Sequence, residues 1–242
     1  MEKYYEKIIL TNGIVEVWRY EKLNTKGGGA RHGDGAEREQ NYRKTQRARR
    51  SRIRQLVCMN FDSRSKFVTL TFDEQRAFDI KDVKACNAYF KNFVKRLKYK
   101  HPDFKYLSVI EFQDKNDRGA VHYHMICNLP FLKKSELQKI WGAGFVKINA
   151  IDKVDNVGAY VIKYMTADMD DTRLCGLQAY LHSRQLVEPI EITTWRSDPE
   201  LWRQAHESLQ NETPSYSAKY ESESAGLIEY EQYNFNRVDC ST

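Results

Sequence analysis

Two histidines separated by one residue, His122 and His124, are the side chains of this sequence best suited to chemistry. They lie in an apolar, β-prone stretch, and alternate residues of a strand project from the same face of a sheet. Both imidazoles could then bind one metal ion, because imidazole is a common ligand of divalent cations. Two partly exposed strand histidines without a metal would give the same pattern, so the pair alone leaves both interpretations open.

A carboxylate for the same site is predicted from strand pairing. Residues 106–112 and 120–127 alternate as two strands, and the segment between them is rich in turn-forming residues. If the turn lies at the middle of that segment, Glu111 is directly opposite His122 and on the same face. A shift of one residue would put Glu111 on the other face, so the prediction depends on this register.

Gln113 shares the predicted face of Glu111, because it lies two residues further along the strand. It could orient a metal ligand or bind the ion through water. Two imidazoles and one carboxylate suit Mn²⁺, Mg²⁺ with retained waters, or Fe²⁺, and the chemistry expected of such an ion is polarisation of an oxygen.

A second group of reactive side chains is predicted on a helix that begins near Asn156 and ends near Thr166. Spacings of three and four place Tyr160, Lys163 and Tyr164 on adjoining parts of one helical surface. Aromatic residues at helical spacing usually pack in a core, and this interpretation is open for the tyrosines. The functional interpretation is that a tyrosine hydroxyl attacks a phosphorus atom while the lysine offsets negative charge.

A basic segment precedes these elements, with eight cationic residues and one acid between residues 38 and 54. It has no Gly or Pro, so it is predicted to be a helix or an extended arm. The repulsion among so many cations favours contacts with phosphates over a merely solvated helix face. The predicted DNA-binding residues within it are Arg43, Lys44, Arg47, Arg49, Arg50, Arg52 and Arg54.

The order of predicted elements indicates an α+β fold. A strand at 66–72, a helix at 82–98, the two strands above, a helix at 135–141 with Ser135 as its cap, a strand at 145–148 and the tyrosine helix follow in turn. This order matches a central, mainly antiparallel sheet with the split β-α-β topology of ferredoxin-like and RNA-recognition-motif-like folds. Such a fold would have its helices on one face and the metal site on the other.

Composition places the chain among globular proteins. It has 242 residues, 41% of them hydrophobic, and a net charge of +6, which alone supports nucleic-acid binding only weakly. We find neither a membrane-length apolar stretch nor a secretory signal, and no Gly-rich phosphate loop of an ATPase, so we expect a cytoplasmic protein of a bacterial host cell. The five cysteines are scattered singly, which predicts reduced and mostly buried thiols.

Three segments together resemble a known superfamily, the HUH endonucleases, which are named for a His-hydrophobic-His metal motif. In order, they are Phe67-Val68-Thr69-Leu70-Thr71-Phe72, Val121-His122-Tyr123-His124 and Tyr160-x-x-Lys163-Tyr164. The resemblance covers about residues 43–166. It is greatest to rolling-circle replication initiators of bacterial plasmids and phages, including gene A-type proteins of isometric single-stranded DNA phages and filamentous-phage replication endonucleases.

The resemblance implies a site-specific DNA endonuclease and strand transferase, with nicking and rejoining activity that depends on Mg²⁺ or Mn²⁺. Its substrate would be single-stranded origin DNA, cut by a tyrosine that becomes linked to the 5′ phosphate and leaves a free 3′-hydroxyl. A host polymerase and helicase are the implied partners. Tyr160 with Lys163 matches the family's spacing for the first nucleophile, and Tyr164 would act in a second cut, although Ala167 stands where two-tyrosine initiators have another lysine.

The resemblance and the composition together divide the chain into four predicted segments. They are an N-terminal strand with a flexible Gly-rich loop (1–37), the basic arm or helix (38–60), the HUH endonuclease domain (61–196) and a polar C-terminal extension (197–242). Within the extension, residues 227–235 could form an edge strand beside the N-terminal strand.

Other functions are compatible with parts of the sequence. A transposase or a mobilisation relaxase would use the same chemistry at a different DNA site. A single-stranded nucleic-acid-binding protein without catalysis would use the basic arm and the sheet face only. An Fe²⁺ oxygenase would leave the tyrosine–lysine helix without a role. Neither the oligomeric state nor the recognised origin can be deduced from the sequence.

Overall fold

Strands and helices occupy most of the part of the chain that the structure, a computed structural model, describes. That part comprises residues 5–23, 35–114, 118–165, 171–174, 176–178, 180–222 and 225–236, with only the backbone described at 35–44, 164 and 165. The strands are β1 (Tyr5–Leu10), β2 (Ile14–Tyr20), β3 (Lys66–Thr71), β4 (Tyr106–Gln113), β5 (Ala120–Cys127), β6 (Val146–Ala150), β7 (Tyr180–His182), β8 (Ile190–Thr193), β9 (Tyr216–Ser222) and β10 (Gly226–Asn234). The helices are α1 (Gly35–Asn60), α2 (Val83–Lys100), α3 (Lys134–Trp141), α4 (Val157–Met165) and α5 (Pro199–Glu207).

The chain divides into two compact units. Unit 1 contains Met1–Thr45 and Glu188–Thr242, and unit 2 contains Gln46–Val187. Each unit contains one five-stranded sheet in which all neighbouring strands are antiparallel. The predicted α+β class with mainly antiparallel pairing is therefore confirmed. The predicted segment boundaries followed composition rather than contacts, and they stay a prediction.

The sheet of unit 2 has the strand order β6-β3-β5-β4-β7. Strand β5 thus lies between β3 and β4, which are consecutive strands connected through α2. The four strands predicted from the sequence are all present, and β7 adds a short edge strand that the sequence analysis missed. The ferredoxin-like assignment stays an interpretation of this order.

Helices α2 and α3 cover one face of this sheet. Asp82 caps α2, since its carboxylate accepts a hydrogen bond of 2.8 Å from the backbone N–H of Lys84. The apolar stripe predicted for this helix is buried against the sheet and surrounds residues such as Phe90 and Trp141. The predicted cap of α3 was wrong, because the N-cap residue is Lys133 and it makes no side-chain capping bond. The first face therefore forms the main hydrophobic core of unit 2.

The prediction that helices cover only one face was wrong, since α1 and α4 pack on the other. Ile53, Leu56 and Val57 of α1 and Val157 and Val161 of α4 are buried in one cluster with apolar residues of β3, β4 and β5. The apolar residues of α1 recur at helical spacing, but they lie among the cations that dominated the sequence analysis. The second face is consequently roofed by helices over part of its area.

Gly158 allows α4 to lie directly against α1. A Cβ atom at this position would be 2.4 Å from Sγ of Cys58 and 2.9 Å from the backbone oxygen of Arg54. Contacts this short are repulsive, and the backbone oxygen can move only with its helix. The absence of a side chain at residue 158 is therefore required for the position of the tyrosine helix.

We expect Gly158→Ala to lower the free energy of unfolding. Alanine gains up to about 1 kcal/mol of helix propensity over glycine, but overpacking of a tight core contact costs about 1–3 kcal/mol. Chemical denaturation measures the net change, and Ala159→Ser, at the exposed neighbouring position of α4, is the matched control. Stability equal to or above that of the wild type in Gly158→Ala would contradict the close packing of the two helices.

The sheet of unit 1 has the strand order β8-β1-β2-β10-β9. Residues 227–235 do form a strand beside an N-terminal one, as predicted, but β10 is not at the edge because β9 pairs with its other side. Glu6 is buried in this unit, where it accepts hydrogen bonds of 2.9 Å from Nε of Arg19 and from Nε1 of Trp202 in α5. These charge-assisted bonds offset the cost of burying a carboxylate.

Candidate metal centre

The predicted register of the β4–β5 hairpin is confirmed. Glu111 pairs with His122, and Val109 pairs with His124. The alternation of the strands therefore puts the carboxylate and both imidazoles on one face of the sheet, the face that α1 and α4 partly cover. The apolar residues between them, such as Tyr123, point into the main core on the opposite face. Burial of these apolar side chains fixes the register, because a slip by one residue would expose them.

The three side chains converge closely enough to bind one ion. One ligand atom from each of Glu111, His122 and His124 lies within 4.8 Å of the other two. Nε2 of His124 and Oε2 of Glu111 are in direct contact. Two nitrogens and a carboxylate oxygen that meet at one point suit a divalent transition metal or Mg²⁺ with additional water ligands.

His122 has the properties of a ligand rather than of a solvated side chain. It is only 6% exposed, and its Nε2 has no hydrogen-bond partner among the described residues. Burial, the nearby His124 and the Arg118 guanidinium lower the pKa of His122 to about 4, and the attraction of Glu111 opposes them only partly. The imidazole is therefore neutral at physiological pH, which is the form that binds a metal ion. A buried nitrogen without a partner is otherwise costly, so these residues fit a divalent cation.

Two residues of β3 support His124, and the sequence analysis did not assign them a role. Oγ1 of Thr69 lies 3.3 Å from Nδ1 of His124, and the two residues pair across the β3–β5 ladder. An Nδ1–H donated to Thr69 leaves the lone pair of Nε2 for a metal ion. The ring of Phe67 stacks on the ring of His124 with centroids 5.9 Å apart. Both residues belong to the first of the three motifs, but their contacts depend on strand pairing that this motif alone does not specify.

Gln113 lies on the predicted face but is engaged elsewhere. Its Oε1 accepts a hydrogen bond from Nη1 of Arg118, and Nη2 of Arg118 donates to the backbone oxygen of Phe72 at 2.6 Å. The guanidinium thus joins the end of the hairpin to the end of β3. Arg118 was not among the predicted site residues, and it adds a fixed positive charge close to the candidate ligands.

Tyr160 faces the same side of the sheet as the metal ligands. Its ring meets the ring of Phe67 edge to face, with centroids 5.9 Å apart, and Phe67 in turn stacks on His124. Tyr160 is half-buried at the rim of the apolar cluster, whereas Lys163 is exposed. The side chain of Tyr164 lies outside the described part of the structure. The two interpretations of Tyr160 are compatible, because one edge of its ring packs in the cluster beside the candidate metal centre.

The predicted basic segment lies within α1. Arg47 is exposed, and Arg49, Arg50, Arg52 and Arg54 are partly exposed, while the side chains of Arg43 and Lys44 lie outside the described part. Unit 2 as a whole has 26 Lys and Arg against 15 Asp and Glu, a net charge of +11. Unit 1 has 13 against 18, a net charge of −5. The positive charge of the chain is therefore concentrated in the unit that contains the candidate site.

Two further expectations can be compared with the described residues. Cys58, Cys86 and Cys127 are buried free thiols, as predicted, and Cys175 and Cys240 lie outside the described part. Within the described ranges, no helix is both long and apolar enough to cross a membrane.

The comparisons with known proteins identify one family. Residues 65–169 match the model of the ORF2 family of replication-associated proteins, a rolling-circle replication initiator family. The matched segment runs from the start of β3 past the end of α4, so it includes Glu111, both histidines and Tyr160. The chain matched no curated protein and no solved structure. The resemblance to rolling-circle initiators drawn from the three motifs is confirmed over these residues.

Proposed function

We propose that this chain, whose residues 65–169 match a family of replication-associated proteins, is a rolling-circle replication initiator that nicks single-stranded origin DNA. The nick would produce a 5′-phosphotyrosine and a free 3′-hydroxyl. The observation that carries the proposal is the convergence of Glu111, His122 and His124 on the sheet face that Tyr160 also contacts through Phe67. A metal site and a phenol on one face are the two parts that this reaction requires.

Glu111, His122 and His124 would hold Mg²⁺ or Mn²⁺. When bound, the cation supplies Lewis-acid polarisation of a phosphodiester oxygen. The protein keeps His122 neutral by burial and directs His124 through its contact with Thr69, so both imidazoles are available without a conformational change. Gln113 remains the alternative oxygen ligand of this proposal, although it must then exchange its contact with Arg118.

Tyr160 is the proposed first nucleophile. Its phenolic oxygen forms a bond to phosphorus while the bond between phosphorus and the 3′ oxygen breaks, so that the number of phosphate ester bonds is conserved. The phenol loses a proton and the leaving 3′ oxygen gains one. Lys163, three residues further along α4, would offset charge on the phosphate, and Tyr164 would attack in the second transesterification that closes the displaced strand.

The cations of α1 would bind the DNA strand that enters the site. Arg47, Arg49, Arg50, Arg52 and Arg54 lie on the helix that packs against α4, and Arg43 and Lys44 belong to the same helix one to three turns earlier. Phosphate contacts of this kind hold the strand without reading its sequence. A host polymerase would extend the free 3′-hydroxyl, and a helicase would separate the strands.

Alternative functions are less well supported. A transposase or mobilisation relaxase would share the chemistry, but the matched family is described as replication-associated. A binding protein without catalysis would have no use for a buried imidazole that lacks a hydrogen-bond partner among the described residues. The initiator is therefore the function that accounts for the most observations.

The proposal is tested by incubating the full chain with single-stranded oligonucleotides that cover the origin of its own replicon. In Mn²⁺ we expect a protein–DNA adduct that survives denaturing electrophoresis and contains the part of the strand 3′ to the nick. The same mixture with EDTA is the control, and a labelled 5′ fragment should end in a 3′-hydroxyl that a polymerase extends. Cleaved DNA without covalent attachment would indicate a hydrolytic nuclease instead.

A further inference from the structure

We propose that Tyr180 and His182, on the edge strand β7, form a stacking site for nucleobases of single-stranded DNA beside the candidate metal centre. This inference rests on the proposed function and names a binding site for the strand next to the scissile phosphate. Neither residue belongs to the three motifs, and both lie beyond the segment that matches the family.

Strand pairing places both rings on the face of the metal ligands. Tyr180 pairs with Val109, and Val109 pairs with His124. His182 pairs with Leu107, two residues along the same face, whereas Leu181 between them is buried in the core on the opposite face. Neighbouring strands are about 4.8 Å apart, so the backbone of Tyr180 is roughly 10 Å from that of His124. A nucleotide attached to the scissile phosphate can span this distance.

The two rings form a firm and accessible surface. Their centroids are 5.5 Å apart and their planes are inclined by 32°. Tyr180 is partly buried because it packs against the apolar cluster beneath α4, which fixes its orientation. His182 is exposed, and its Nδ1 lies 3.0 Å from the backbone oxygen of Ser183. Within the described residues β7 is the last strand of its sheet, so the rings lie at an open edge.

Single-stranded DNA is the occupant that the surroundings favour. Bases of an unpaired strand stack on aromatic side chains, which contribute about 1–3 kcal/mol for each base. The positive charge of unit 2, +11, attracts the phosphates that connect those bases. Phosphate contacts from α1 and base contacts from β7 would together orient a strand across the metal-ligand face.

The experiment compares two probes of equal length and charge. One is an oligo-dT strand, and the other is a strand of abasic sites, which retains the phosphates but offers no base to stack. Fluorescence anisotropy with the full chain measures the affinity for both. For Tyr180→Ala we expect roughly tenfold weaker binding of oligo-dT and unchanged binding of the abasic strand.

Two further variants separate stacking from folding. Tyr180→Phe keeps the ring and should bind oligo-dT like the wild type. Tyr99→Ala removes a tyrosine that is 91% exposed on α2, and it should affect neither probe. Equal loss of both probes in Tyr180→Ala would point to disturbed folding or charge, and no loss of either would show that Tyr180 only covers the apolar cluster. Both results would overturn the inference.

The failure of this inference can be distinguished from failure of the proposed function. If the wild type forms the covalent adduct but Tyr180→Ala binds both probes normally, only the stacking site is wrong. If the wild type forms no adduct while the two probes still differ in the expected way, the stacking site stands and the nicking activity is wrong.

Discussion

Alanine at His122 should abolish both the binding of Mn²⁺ and the formation of the protein–DNA adduct. Loss of a metal ligand weakens binding more than loss of the residues that orient a ligand, which itself costs about 10–100-fold. The Lewis-acid contribution of several kcal/mol corresponds to a rate loss of roughly a thousandfold or more. Calorimetry with Mn²⁺ and the rate of adduct formation measure the two effects separately.

Because His122 is buried, its replacement by alanine also leaves a cavity, and a second variant keeps the result interpretable. Glu111→Gln preserves the size of a side chain that is 37% exposed, so its fold should be intact, while Mn²⁺ binding should fall as in the alanine variant. Glu136→Gln, an equally conservative change on the exposed surface of α3, is the matched control. Normal adduct formation by both site variants would exclude the metal centre from catalysis.

Phenylalanine at Tyr160 should prevent adduct formation while DNA binding and Mn²⁺ binding persist. The substitution retains the ring that packs against Phe67 and removes only the hydroxyl, so neither α4 nor the metal ligands should move. With no phenolic oxygen to attack phosphorus, we expect the rate to fall at least a thousandfold, since nothing replaces a covalent nucleophile. Denaturing electrophoresis of single-turnover reactions measures the rate.

Tyr164→Phe is the matched variant for this prediction, because it lies one turn further along the same helix. It should still form the first adduct and lose the joining of a second strand. The reverse outcome would exchange the roles of the two tyrosines and leave the mechanism intact. If both single variants formed the adduct at the wild-type rate, and the double variant did as well, tyrosine chemistry would be excluded.

The candidate metal ligands could be predicted from the sequence because local forces fix their positions. A short hairpin has few possible registers, and burial of alternating apolar residues such as Tyr123 leaves only one of them, which determines the partner of His122. The amphipathic pattern of α2 and its capping residue Asp82 are local in the same way. These features depend on residues that are close in sequence, so the sequence was sufficient.

The contacts that the sequence analysis missed all join segments that are distant in the chain. Thr69 reaches His124 only because β3 pairs with β5, and Tyr180 reaches the same face only because β7 pairs with β4. The apolar side of α1 was obscured by its many arginines, since long charged side chains can flank a buried stripe without exposing it. Periodicity within one segment does not specify the partner of that segment, and this is why the second face was predicted without helices.

The way in which unit 1 is assembled has a consequence for synthesis on the ribosome. Strands β1 and β2 are made first, but two of their sheet neighbours, β8 and β10, are made only after the whole of unit 2. An isolated two-stranded hairpin is marginally stable in water, so the early strands cannot hold their structure until the late ones emerge. Unit 2 can therefore complete its core during translation, and the acidic sheet forms last, by pairing segments that leave the ribosome at opposite ends of the process.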